Sequence, residues 1–153
     1  MNIFSQLFSN PVLVTAMAAW LIGQFLKFPL DYILNRRWNW GVLLSPGGMP
    51  SSHSAMATAT TLSIGFFEGF NSALFGLAVA VAMIVIYDAT GVRRQAGIHA
   101  RVLNEIMQEI FAGRPVPEKK LREVLGHTPV EAISGIILGI VIAMGVWLIF
   151  PKA

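Results

Sequence analysis

Four apolar runs divide the chain, and polar or basic residues set each one off. The first, Pro11 to Leu34, has the roughly 20 residues that a helix needs to cross a bilayer core. Lys27, Pro29 and Asp31 interrupt its second half. The second, Ser54 to Phe67, is short: its 14 residues make about 21 Å of helix, against a hydrocarbon core of about 30 Å. The third, Gly69 to Tyr87, is uncharged after Glu68, and the fourth, Val130 to Phe150, carries Glu131 alone, at its start. This pattern predicts an all-α polytopic membrane bundle of about four transmembrane spans, forming one integral membrane domain over 1–153. Internal repeats and low-complexity tracts are absent.

The segment between the third and fourth runs is too long for a bare connection. From Ile98 to Phe111 the apolar residues Ile98, Val102, Leu103, Ile106, Met107 and Ile110 recur at helical spacing. They predict an amphipathic helix that lies in the membrane interface or covers a cleft. Gly113 and Pro115 end it, and Pro117-Glu118 opens a second short helix that stops near Gly126.

Composition sharpens the class. A chain that is 55% hydrophobic and only 12% charged lies outside the soluble range. With no cysteine, disulfides and thiolate chemistry are excluded. The basic residues flank apolar spans without aromatic interleaving, so nucleic acid is not an expected partner; the bilayer is. The first ten residues hold no Lys or Arg, so a cleaved signal would lack its charged n-region. Arg36 and Arg37 lie between runs one and two, and Arg93, Arg94, Arg101, Arg114, Lys119, Lys120 and Arg122 between runs three and four. With four spans these two loops share a side, and the bias toward basic cytoplasmic loops makes that side cytoplasmic, with both termini outside. The expected location is the cell membrane.

That same side collects the chemistry. Run one brings Lys27; "GGMPSSHSAM" at 47–56 brings Ser51, Ser52 and His53 to the mouth of run two; run three ends with Asp88 before Arg93 and Arg94; run four begins with His127 and Glu131. Because run two is too short for the core, its "GGMPSSH" entrance is expected to sit in a recess. Lys and Arg neutralise phosphate oxygens, and a helix N-terminus at Ser51-Ser52 favours an anion. One histidine can attack phosphorus while another protonates the leaving oxygen, and Glu131 can hold an imidazole in one tautomer. Each residue also has a plainer role. Ser51-Ser52 make an ordinary N-cap; Lys27, Arg36 and Arg37 snorkel; His127 sits in a loop; Glu131 is a first-turn acid; Asp88 pairs with an arginine; His99 faces the interface. Those roles do not explain the convergence on one face.

The residues resemble the type-2 phosphatidic acid phosphatase and vanadium haloperoxidase superfamily, and in particular its small divergent branch. "PSSH" at 50–53 is similar to the family's Pro-Ser-Gly-His, with Ser52 for glycine, and "HTPVEAISG" at 127–135 to His-x-Pro-x-Asp-Val-x-x-Gly, with Glu131 for Asp. Lys27 matches the first-motif lysine, while Leu34 stands where the arginine belongs. "YDATGVRRQAG" at 87–97 is typical of the divergent branch. The resemblance covers most of the chain and implies a metal-free, cofactor-free phosphatase that passes through a phosphohistidine. His127 would be the nucleophile, Glu131 its partner and His53 the acid, with Lys27, Ser51, Ser52, Arg93 and Arg94 holding phosphate. The family's arginine-to-histidine spacing is also met by Arg93 and His99; position 103 is Leu, however, which leaves His99 without a carboxylate, so His127 is preferred.

The function expected is a membrane phosphatase acting on a lipid or isoprenoid phosphate or pyrophosphate at the cytoplasmic face. Its alternatives are a non-catalytic lipid-phosphate binder or carrier, and an assembly protein whose basic loops only touch anionic headgroups. Oligomeric state is not legible.

Overall fold

The computed structural model describes residues 2–36, 40–41, 47–111 and 126–150, apart from the side chains of residues 34, 35 and 93. Six helices make up the described chain: α1 (Ile3–Ser9), α2 (Pro11–Asn35), α3 (Ser52–Glu68), α4 (Ala73–Thr90), α5 (Val92–Ile110) and α6 (Pro129–Ile149). Side-chain caps start most of them: the oxygens of Asn2, Asn10, Ser51, Ser72 and Thr128 each accept a first-turn backbone N–H. Pro11 and Pro129 follow two of these caps, where a missing N–H costs nothing. The short α1 is an element that the apolar pattern does not reveal.

The chain forms the helical membrane bundle expected. Three helical stretches are long and apolar enough to cross a bilayer: Pro11–Ile33, one within Ala73–Ile110, and Pro129–Ile149. The short second run becomes α3, whose 17 residues span about 25 Å. It is the centre of the bundle, packed against α2, α4 and α6. Neighbouring residues set the directions. Thr15 of α2 meets Ser63 near the end of α3, whereas Gln24 meets Ser52 at its start, so α2 and α3 are antiparallel. Thr61 reaches the carbonyl of Ala78, near the start of α4, so α4 runs with α2. α6 runs with α3, its Gly135 and Gly139 lying against Ser51 and Ala55.

Small side chains make this packing possible. The buried centre is Ala19, Ala55, Ala59 and Ala143, with Leu62, Phe66, Leu138 and Ile142 around it. Any side chain at Gly135 or Gly139 would collide with the α3 backbone, and at Gly23 would crowd Ser52. The large apolar residues point the other way: Phe25, Leu77, Ile84, Ile137, Val141 and Leu148 are all exposed. A water-soluble protein avoids so large an apolar surface. In a bilayer the tails solvate it, and helices associate through close contact of small residues.

The expected amphipathic helix is α5, which begins earlier than its apolar pattern, at Val92. Among the described residues it touches no helix other than α4. The second short helix expected from Pro117-Glu118 lies outside the described residues, as do Arg37, Arg114, Lys119, Lys120 and Arg122.

Candidate active site

Three helix ends build the site. α3 starts at Ser51, whose hydroxyl accepts the N–H of Ser54 at 3.3 Å and the Ser54 hydroxyl at 3.0 Å. Ser51, Ser52 and Ser54 are all buried. Ser52 donates its hydroxyl to Gln24 Oε1 on α2 at 2.8 Å. One turn beyond Gln24 on α2, Lys27 is only 1% exposed. Its ammonium interacts electrostatically with the Glu131 carboxylate, which offsets part of the cost of holding a charge away from water.

α6 supplies the other half. Thr128 and Glu131 form a capping box: the Glu131 N–H donates to Thr128 Oγ1 at 3.3 Å, and the Thr128 N–H donates to Glu131 Oε2 at 3.0 Å. The same Oε2 lies 3.1 Å from Nδ1 of His127, a residue that is 3% exposed. A carboxylate only accepts, so this contact puts a proton on Nδ1 and leaves the neutral ring's lone pair at Nε2. Backbone bonds lock the pair into the bundle. The His127 N–H donates to the Ala89 carbonyl near the end of α4 at 2.9 Å, and the Ser51 N–H donates to the Glu131 carbonyl at 3.0 Å. Glu131 is therefore both a cap and the partner of His127. The two roles are compatible, because one carboxylate oxygen has lone pairs for both contacts.

Lys27, Ser51, Ser52, His127 and Glu131 are thus brought to one end of the bundle, with Ser51 and Ser52 buried. His53, half-buried on the first turn of α3, lines the groove between α3 and α4. Arg94 is exposed on α5, and Arg93 lies in the first turn of that helix with its side chain outside the described residues. His99 is exposed on α5. Among the described residues no three His, Cys, Asp or Glu side chains are grouped to hold a metal ion.

Sequence reasoning missed Gln24, Ser54 and Thr128. Gln24 had a signal: an amide inside an apolar span, one turn from a lysine, is costly unless it has a partner. Thr128 had one too, in the Thr-x-x-Glu spacing of a capping box.

Buried charge at one end of a largely apolar bundle, beside the hydroxyls of Ser51 and Ser52, marks an integral membrane protein with a polar cluster around helix termini. The chain belongs to the Divergent PAP2 family, whose pattern matches residues 8–142. It is similar to the uncharacterized membrane protein YuiD of Bacillus subtilis (strain 168), 36% identical over 150 residues, covering 91% of this chain and 95% of the relative. No solved structure matches the chain.

Proposed function

We propose that the protein is a lipid-phosphate phosphatase that works through a phosphohistidine at His127. Family membership supports phosphatase-like chemistry. The observation that carries the finer reading is the pairing of the buried His127 with the half-buried Glu131, 3.1 Å apart, together with the buried Lys27 and the N-terminus of α3. In this reading Nε2 of His127 attacks phosphorus, the bond to the lipid oxygen breaks, and His53 gives that oxygen its proton. Glu131 stabilises the imidazolium that forms. Water then attacks the phosphohistidine, His53 takes the proton back, and inorganic phosphate leaves. Lys27 and the first-turn N–H groups of α3 meet the charge on the phosphoryl oxygens, with Arg93 and Arg94 as further phosphate ligands. The substrate is a phosphate or pyrophosphate on a lipid or isoprenoid chain in the cytoplasmic leaflet.

Phosphate release from a panel of lipid phosphates by detergent-purified protein tests this, together with acid-labile, base-stable phosphate trapped on the protein during turnover. Release without a trapped histidine adduct would sink the mechanism. No release from any substrate would favour a second reading, a lipid-phosphate binder without turnover. Its support is Leu34 in place of the superfamily's arginine and Ser52 in place of its glycine. Cysteines at Arg37, Asn71 and Lys119 test the leaflet. Those at 37 and 119 should resist an impermeant thiol reagent in intact cells while the one at 71 reacts. Opposite labelling of 37 and 119 would remove the shared face on which the site depends.

A further inference from the structure

A groove of about 340 Å³ runs between α3 and α4, near the lower end of volumes that hold small ligands. On α3 its wall is His53, Ala57, Thr60 and Ile64, which recur every three or four residues on one helix face. On α4 it is Leu74, Ala78, Val81 and Val85. Ala57 and Ala78 leave the space that larger side chains would fill. From His53 to Ile64 the groove descends about 16 Å along the helix, close to half of a hydrocarbon core of about 30 Å. Its depth is therefore one leaflet. Its polar end is the first turn of α3, where His53 follows the buried Ser51 and Ser52. The opposite side of the α3–α4 seam offers a contrast. A cavity of about 280 Å³, bordered by Thr58, Leu62, Val79, Met83 and Ile140, has no titratable residue in its wall.

We propose that the α3–α4 groove is the binding site for one hydrocarbon chain of a membrane lipid phosphate, with the phosphate at the first turn of α3. This rests on the phosphate-site reading above and adds where the chain lies. A phosphorylated lipid satisfies both ends at once: its tail leaves bulk lipid for an apolar wall, and its anion meets helix N–H groups and Lys27. A neutral lipid of the same chain gains only the first.

The test uses the full-length protein in phosphatidylcholine nanodiscs with an alkyl monophosphate carrying a diazirine at mid-chain. Photolysis should place adducts on peptides containing Met56–Ile64 and Leu77–Val85. Excess unlabelled phosphate of the same chain should suppress them, whereas the corresponding alcohol should not. In Ala78→Trp, which fills the groove, these adducts should be lost; Thr60→Trp is the second variant if the first does not fold. Adducts spread over Phe25 and Ile137 as heavily as over the groove would overturn the proposal. So would equal competition by the alcohol. Phosphate release measured on the same samples separates the readings. Groove labelling without release removes the phosphatase and keeps the groove, and release without groove labelling does the reverse.

Discussion

The two ends of α3 are built on opposite principles. At its start, Ser51, Ser52 and Ser54 are buried, and hydrogen bonds to Gln24 of α2 and Glu131 of α6 hold the first two. At its other end aromatic rings meet. Phe66 stacks on Trp147 at 5.2 Å between ring centroids and packs edge-on to Phe70 at 5.6 Å, while Phe70 meets Phe75 at 5.1 Å. Gly65 lies flat against the Phe70 ring, and Gly69 turns the chain with φ of 95°, a conformation that a Cβ would strain. Ring contacts of this kind add packing energy at little polar cost. Burying a lysine, even with a half-buried carboxylate nearby, is a poor way to gain stability, since apolar residues of the same volume often do as well or better. The aromatic contacts therefore help to hold the bundle, and the chemistry we propose falls to the polar end.

The largest expected effect tests that division directly. His127→Ala should lower kcat by at least about a thousandfold, because a nucleophile's contribution exists only along the reaction path. The folded protein should still elute as one species in detergent. His53→Ala should match it if the proton donor is as necessary. A variant of His127 that keeps turnover would end the phosphohistidine reading.

Gly135→Leu should follow in size, and it acts on structure. A side chain there runs into the Ser51 carbonyl, so α6 must move off α3 and the His127–Glu131 pair leaves the start of α3. We expect a loss of stability of about 1–3 kcal/mol or more, read as a lower thermal midpoint, with activity lost in parallel. Gly76→Ala is the control, because nothing lies within 4 Å of its added Cβ; it should be neutral or slightly stabilising.

Phe66→Ala should separate the two ends cleanly. Losing its stacking with Trp147 and Phe70 should cost roughly 1–3 kcal/mol while kcat per folded molecule stays near wild type. A collapse in kcat without a fall in stability would show that the ends are coupled after all.

Glu131→Gln divides the cap from the charge. Glutamine preserves the capping box, so the thermal midpoint should barely move, while the rate falls by an intermediate factor because the imidazolium loses its counter-charge. Glu131→Ala should lose a further ~1 kcal/mol of stability with the cap. Equal rates for Gln and Glu would reduce the residue to a helix cap. The smallest effect belongs to His99→Ala. Exposed on α5, it should change kcat little; a dead His99 variant beside an active His127 variant would reverse the choice of nucleophile.

Much of the fold was legible because the bilayer demands it. Apolar runs of span length, a short second run and basic loops are properties of the chain's order, and α2, α4, α6 and the amphipathic α5 follow from them. The His127–Glu131 contact was legible too: residues four apart at a helix start face each other. Less visible was which helix would be central. In water, the apolar face of a helix marks the inside. In lipid, both the interior and the surroundings accept apolar residues, so that signal fails. The usable trace was the spacing Gly135-x3-Gly139-x3-Ala143 on α6, matched by Ala55 and Ala59 on α3.

What the amino-acid order determined by itself was the kind of protein and the end of the bundle at which Lys27, Ser51, Ser52, His127 and Glu131 gather, because span length and the spacing of charged loops are local quantities. Only the tertiary structure decided that α3 is enclosed, that Gln24 holds Ser52, and that the Glu131 carbonyl receives the Ser51 N–H. Those contacts join residues that are distant in the chain, and they exist because glycines and alanines let three backbones approach closely enough for hydrogen bonds to form between them.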